Sequence, residues 1–260
     1  METLDQTQVI VPLAEQRRRH LPARTAFDWL AAGWRDLLVY PGPSLAYGLA
    51  VFIVSLVIVW GLFALGLDYI LFPALSGFMV VGPLIAIGLY QKSRDIEAGV
   101  PVTLRRMIFV HAASGAQVWY TGALLCLLML TWMRAAVIIY ALFFGLRPFP
   151  GFDHVVSMLF TMPEGWGMLL AGTVVGGLFA AFSFAISTFA VPMLLDEDVD
   201  AFTAMGTSIS LVWNNLPVML AWGVIVVALF LASVGTALLG LIVVFPLLGH
   251  ATWHSYRAIR

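Results

Sequence analysis

Residues 216–249 read LPVMLAWGVIVVALFLASVGTALLGLIVVFPLLG, 34 positions without one charged side chain. As a single α-helix this stretch would be about 51 Å long at 1.5 Å per residue. That far exceeds a hydrocarbon core of about 30 Å. Gly235 and Gly240, with small residues between them, mark a tight turn. The stretch therefore divides into two spans, 216–235 and 237–256. Toward the N-terminus, four more apolar runs reach the roughly 20 residues that a crossing needs. They are 44–65, 69–91, 118–141 and 168–192. The expected architecture is an all-α membrane protein with six transmembrane helices in three helical hairpins.

Composition agrees with this reading and closes off others. Of 260 residues, 62% are hydrophobic and 10% charged, with a mean hydropathy of +0.97. A soluble domain has roughly 45–50% apolar and about 25% charged residues, so an ordinary soluble domain, a disordered chain and a coiled coil are all excluded. Net charge is −1, which leaves no basic excess for binding nucleic acid by counterion release. The one cysteine, Cys126, allows no internal disulfide. The first long apolar run begins only near Ser44, after Arg17, Arg18, Arg19 and Arg24. That is not the layout of a signal peptide, and the N-terminus is expected to be retained.

The basic residues set the orientation. With six spans, Arg17, Arg18, Arg19, Arg24, Arg35, Lys92, Arg94, Arg105, Arg106, Arg257 and Arg260 all fall on one side. Arg147 falls on the other, and Arg134 lies inside the third span. The positive-inside rule then places both termini on the cytoplasmic side. Residues 1–25 read as a mobile cytoplasmic tail, and 26–260 as one membrane domain.

Within that domain a unit recurs three times, over about 26–99, 100–198 and 199–258. Leu45-Ala-Tyr-Gly-Leu49 is echoed by Leu220-Ala-Trp-Gly-Val224. Before each odd-numbered span lies a short amphipathic segment suited to the headgroup region. Phe27, Leu30, Trp34 and Leu37 form the apolar face of the first, and Phe202, Met205, Ile209 and Val212 that of the third. Leu104, Met107 and Ile108, beside Arg105 and Arg106, make the second. The returning spans carry late prolines, Pro83, Pro192 and Pro246, which membrane helices tolerate where neighbours re-satisfy the freed carbonyl.

The run Phe245-Pro-Leu-Leu-Gly-His-Ala-Thr-Trp-His-Ser-Tyr-Arg257, with Gly33-Trp-Arg-Asp-Leu37 and Pro43-Ser-Leu-Ala-Tyr-Gly48, resembles an uncharacterised family of predicted bacterial integral membrane proteins. The resemblance extends from about 26 to 258. It implies a six-helix inner-membrane protein and carries no reaction with it. Some relatives of the family are labelled respiratory-oxidase-related. A catalytic oxidase subunit needs about six intramembrane histidines, whereas here only His250 and His254 lie near a span end.

Few residues invite chemistry. His250 and His254 are four apart and share a helix face. Counted from the repeat prolines, Asp196 and Asp200 hold the same positions, so the four together form a candidate metal site. The competing reading is an interfacial anchor beside a solvated acidic loop. His154, Met158 and Met162 repeat every four residues and have the soft donors that suit Cu(I), although methionine serves equally as apolar filler. Arg134 reads as an outer-leaflet side chain that snorkels outward, with Asp153 or Glu164 as its partner. Gly172, Gly176 and Ala180, and the neighbouring Gly177, Ala181 and Ala185, form small-residue rows for close helix packing. Neither a phosphate loop nor a nucleophile elbow nor a zinc-protease motif occurs, and no cofactor is expected.

Three functions compete on these grounds. The leading one is a non-enzymatic accessory, assembly or organising subunit of a membrane complex, a respiratory one among the candidates, with the lipid bilayer and that complex as its partners. The second is a small transporter or channel built from the three repeats. The third is a metal-binding membrane protein using the His250/His254 face. A packed apolar interior favours the first, a water-lined cavity the second, and converging ligand atoms near His250 the third.

Overall fold

The computed structural model describes residues 17–145, 147 and 149–260. Every regular element among the described residues is a helix. The chain runs α1 (Thr25–Leu38), α2 (Pro41–Ala64), a 3₁₀ turn (Asp68–Ile70), α3 (Leu71–Ile85), α4 (Ile87–Glu97), α5 (Leu104–Ile108) and α6 (Gly115–Phe144). It continues through α7 (Phe152–Thr161), α8 (Pro163–Ser187), α9 (Ala190–Asp196), α10 (Ala201–Asn214), α11 (Leu216–Gly235) and α12 (Leu241–Ile259).

Five helical stretches are long and apolar enough to cross a bilayer: Pro41–Ala64, Asp68–Glu97, Gly115–Phe144, Pro163–Asp196 and Leu216–Gly235. They correspond to five of the six expected spans. The sixth, expected over 237–256, is α12. It has 19 residues, and its second half carries His250, Thr252, His254, Ser255 and Arg257.

Depth explains this difference. Gly48 of α2 sits against the Ile242 carbonyl and Pro246 of α12, and Ser44 lies beside His250. The two helices therefore run antiparallel from a shared level at Ser44 and His250. From there α2 continues for 20 residues, about 30 Å, whereas α12 reaches its first residue after nine, about 14 Å. The turn between α11 and α12 thus ends well short of the far end of α2. Its N–H groups bond within the turn: Ala237 to the Val234 carbonyl, Leu238 to Ser233, Leu239 to Thr236 and Leu241 to Leu238. Gly240 N–H reaches the Thr236 hydroxyl.

The proline positions produce helix breaks in two of the three returning segments. A break at Ala86 separates α3 from α4 three residues after Pro83, and one at Phe189 separates α8 from α9 just before Pro192. By contrast, α12 runs unbroken through Pro246. The hairpins are not self-contained, because α2 packs chiefly against α12, while α3 packs against α6 and α6 against α8.

The three short helices exist, and part of the apolar face expected of α1 and α10 is exposed. In α1 the buried residues are Ala26, Trp29, Gly33, Asp36 and Leu37, while Phe27 and Trp34 are exposed. In α10 they include Ala201, Ala204, Met205, Ser208, Leu211 and Val212, with Phe202 and Ile209 exposed. Small residues such as Ala26, Gly33, Ala201, Ala204 and Ser208 let these helices approach the protein closely, while Phe27, Trp34, Phe202 and Ile209 are left for the membrane. The expected tail of residues 1–25 lies outside the described residues up to 16. From Arg17 onward it makes contacts with the rest of the chain. Arg19 donates to the Ile259 and Arg260 carbonyls at 3.0 and 2.6 Å, and Asn215 bonds to the backbone of Arg17 and Arg19. The N-terminal segment and the C-terminus therefore meet at one end of the bundle.

Candidate functional site

That end is where the buried polar groups gather. Helix α4 enters it surrounded on all sides, with Leu89, Tyr90, Gln91, Lys92 and Ser93 all buried. Helix α12 brings His250 and His254 on one face, α1 brings Asp36, and the first turn of α2 brings Ser44. Tyr40 closes the link between α1 and α2 in a left-handed conformation at φ 50°, which points its carbonyl at Lys92.

The groups form one polar cluster. Lys92 Nζ donates to Ser44 Oγ at 2.8 Å and to the Tyr40 carbonyl at 3.2 Å. Ser44 Oγ lies 2.9 Å from His250 Nε2, and Ser93 Oγ lies 2.9 Å from His250 Nδ1. Ser93 also faces the Asp36 carboxylate, and His254 Nε2 lies 2.8 Å from Asp36 Oδ2. The proton inventory orders these bonds one way. Lys92 has only donors, so the Ser44 hydroxyl hydrogen is free to point at Nε2. Nδ1–H then donates to Ser93, which leaves the Ser93 hydroxyl hydrogen free to point toward the carboxylate. A neutral imidazole fits this pattern between an ammonium at one end and a carboxylate at the other. His250 and Lys92 are fully buried, and the His254 side chain is 23% exposed. Burial alone would push the Asp36 carboxyl up, but the hydrogen bonds from His254 and Ser93, with the nearby imidazoles, hold it below its ordinary value of 3.8.

A second polar group rims the same end. Arg260 donates to both carboxylate oxygens of Glu197 at 2.8 Å, and Tyr256 O–H donates to Glu197 Oε1 at 2.8 Å. Arg257 bridges Glu97 and Asp196 at 3.4 and 3.5 Å. The Arg260 hydrogen bond, helped by that from Tyr256, outweighs burial and keeps the Glu197 carboxyl below its ordinary 4.5.

The residues expected as a metal site are therefore separated by their partners. His254 pairs with Asp36, and His250 sits between two serines. Asp196 is engaged by Arg257, and Asp200 caps α10 by accepting from the Thr203 N–H at 2.9 Å. Among the described residues no group of three or more His, Cys, Asp or Glu side chains has the arrangement to hold a metal ion. Unlike α8–α9, α12 does not break at its proline, so equal counts from Pro192 and Pro246 start from different local geometry. After α6, His154 and Met158 share a face of α7, but Met162 lies past the helix end in extended conformation, so the spacing of four is lost there. Arg134 is exposed on α6, and the side chain of its suggested partner Asp153 lies outside those described. Of the small-residue rows, Gly176 packs against Trp132, while Gly172 and Gly177 face open space. Cys126 is exposed at mid-span on α6.

The sequence reading missed Asp36, Ser44, Lys92 and Ser93. Lys92 looked like one more surface cation after a span, and nothing in its local pattern shows that α4 is buried all round.

No curated protein and no solved structure matches the chain. Residues 71–196, from α3 to the end of α9, match the family model described as a predicted integral membrane protein (DUF2189). Together with its apolar helices, this makes the chain an integral membrane protein similar over that region to an uncharacterised membrane family.

Proposed function

We propose that the protein is a non-enzymatic accessory, assembly or organising subunit of a larger complex in the bacterial inner membrane, with both termini cytoplasmic. The observation that carries this reading is where the buried polarity lies. Lys92, Ser44, His250, Ser93, Asp36 and His254 satisfy one another in a closed cap at one end of the bundle, and the apolar spans beyond them are packed by side chains such as Phe78, Phe230 and Phe245. A transport path needs polar groups near mid-depth. Helix α8 also leaves Leu170, Val174, Leu178 and Phe182 uncovered along one side, a face open to lipid or to a partner helix.

In this reading only four helical stretches cross, and α11–α12 is a re-entrant hairpin that turns inside the bilayer. A turn at that depth requires internally satisfied backbone, which the bonds at 237–241 supply. Four crossings plus a re-entrant hairpin leave every cytoplasmic arginine where six crossings would.

The test is purification from native membranes in gentle detergent, with quantitative mass spectrometry. A partner at constant ratio, whose level falls when this protein is absent, supports the reading. Recovery of the chain alone opposes it. The second reading, a small transporter, requires the buried groups from Lys92 to His254 to open toward mid-depth, and solute or proton flux in proteoliposomes is the discriminating assay.

A further inference from the structure

Between the end of α4 and the segment through α5 to His111 lies an open cleft of about 910 Å³. Its walls include Gln91, Arg94, Arg105, Arg106, Phe109 and His111. Three of these are arginines, and none is a carboxylate. Asp95, beside them, is 3% exposed and bound to Arg106 through both oxygens at 2.8 Å. Arg94 is anchored by the Leu195 carbonyl, Gln91 Oε1 and the His111 carbonyl. Arg105 is exposed and has no ion pair among the described residues. The His111 Nδ1–H is turned inward to the Phe109 carbonyl at 3.1 Å, so the other ring nitrogen remains for a ligand.

The cleft thus has a surplus of positive charge with fixed geometry, and it lies beside apolar surface. Leu104, Ile108 and Phe109 are exposed on the same short segment. Trp119 and Tyr120, at the start of α6, are exposed one turn into the next span. Aromatic residues of this kind mark the level of the headgroups. The cleft also sits where one crossing helix ends and the next begins, so it opens at the bilayer surface.

We propose that this cleft binds the phosphate group of an anionic phospholipid, with the arginines on the phosphate and the acyl chains along Leu104, Ile108 and Phe109. Guanidinium groups match phosphate oxygens in geometry and charge. Basic pockets at the cytoplasmic ends of membrane helices take such headgroups. The apolar rim favours a tailed phosphate over inorganic phosphate. This inference stands independently of the accessory-subunit reading.

The test is native mass spectrometry of the full chain in dodecyl maltoside, titrated with dioleoyl phosphatidylglycerol, dioleoyl phosphatidylcholine or inorganic phosphate. Phosphatidylglycerol is expected to bind saturably and more tightly than phosphatidylcholine. Arg105→Gln weakens it about fivefold, Arg105→Lys restores much of the loss, and Arg147→Gln, in the loop beyond α6, has no effect. Because Arg105 is exposed and makes no ion pair there, Arg105→Gln keeps the wild-type melting temperature. Equal retention of both lipids, or binding unchanged by Arg105→Gln, overturns the proposal. Saturable binding of inorganic phosphate that displaces phosphatidylglycerol also overturns it, in favour of a soluble anion.

Discussion

His254 Nε2 lies 2.8 Å from Asp36 Oδ2, joining the last helix to the first across 218 positions of sequence. The contact closes the cap at the end where the chain's two terminal segments meet. Asp36 is 7% exposed, and its carboxylate is kept charged by what it touches.

Removing one partner strands the other. His254→Ala should destabilise the protein by about 2 kcal/mol, because it leaves a buried carboxylate with one bond fewer. Asp36→Asn costs less, since the amide keeps the shape and one acceptor. Denaturant unfolding in mixed micelles measures both, and the double variant shows coupling if the two act as a pair. Additive losses would mean that the contact contributes nothing.

Acid should unfold the protein through Asp36 and Glu197. Both carboxyls sit below their ordinary values of 3.8 and 4.5 in the folded chain. Below those ordinary values the unfolded chain binds more protons, so stability rises with pH there. The contribution is complete above about pH 5 and disappears as pH falls through the folded values. Tryptophan fluorescence across pH 2–7 checks this, with Glu197→Gln expected to flatten the acid limb. Stability that fell between pH 5 and 7 instead would contradict the assignment.

Two glycines permit the close helix approach on which the cap depends. A Cβ on Gly33 would stand 2.8 Å from Ala251 Cβ, and one on Gly48 would stand 2.9 Å from Pro246 Cγ as well as against the Ile242 backbone. Gly33→Ala and Gly48→Ala should each cost about 1–3 kcal/mol by overpacking. Gly61→Ala, with open space around it, should be neutral or gain up to about 1 kcal/mol. Melting temperatures of the three variants decide the matter.

The depth of the α11–α12 turn can be read by labelling. In a Cys126→Ala background, Thr236→Cys should resist a membrane-impermeant maleimide added from the far side, while Asp68→Cys reacts. Equal labelling would make α12 a sixth crossing.

Much of this fold is legible in sequence because crossing a bilayer imposes long apolar runs. The spans, the short amphipathic helices and the prolines all follow from local pattern. The repeat Leu-Ala-aromatic-Gly is also visible, but its meaning is not: Gly48 is needed for contact with α12, whereas a Cβ on Gly223 would meet only Phe184 at 3.9 Å. The fate of residues 237–256 is equally hidden, because depth depends on which helix α12 packs against. The polar cap was half legible. His250 and His254 stand out by spacing, but their partners Ser44, Ser93 and Asp36 come from three other helices. The expected carboxylates, Asp196 and Asp200, are held by Arg257 and by the start of α10. No local pattern shows such pairings.

The most direct test of the central claim is photo-crosslinking in native membranes from a benzoylphenylalanine placed at Leu178, on the uncovered side of α8. The account predicts a discrete protein adduct of constant mass, absent when the photoreactive residue is instead at buried Leu195. A protein that yields only lipid adducts at Leu178, and likewise at Val54 and Val224, and that moves a solute or protons on its own in proteoliposomes, would contradict it.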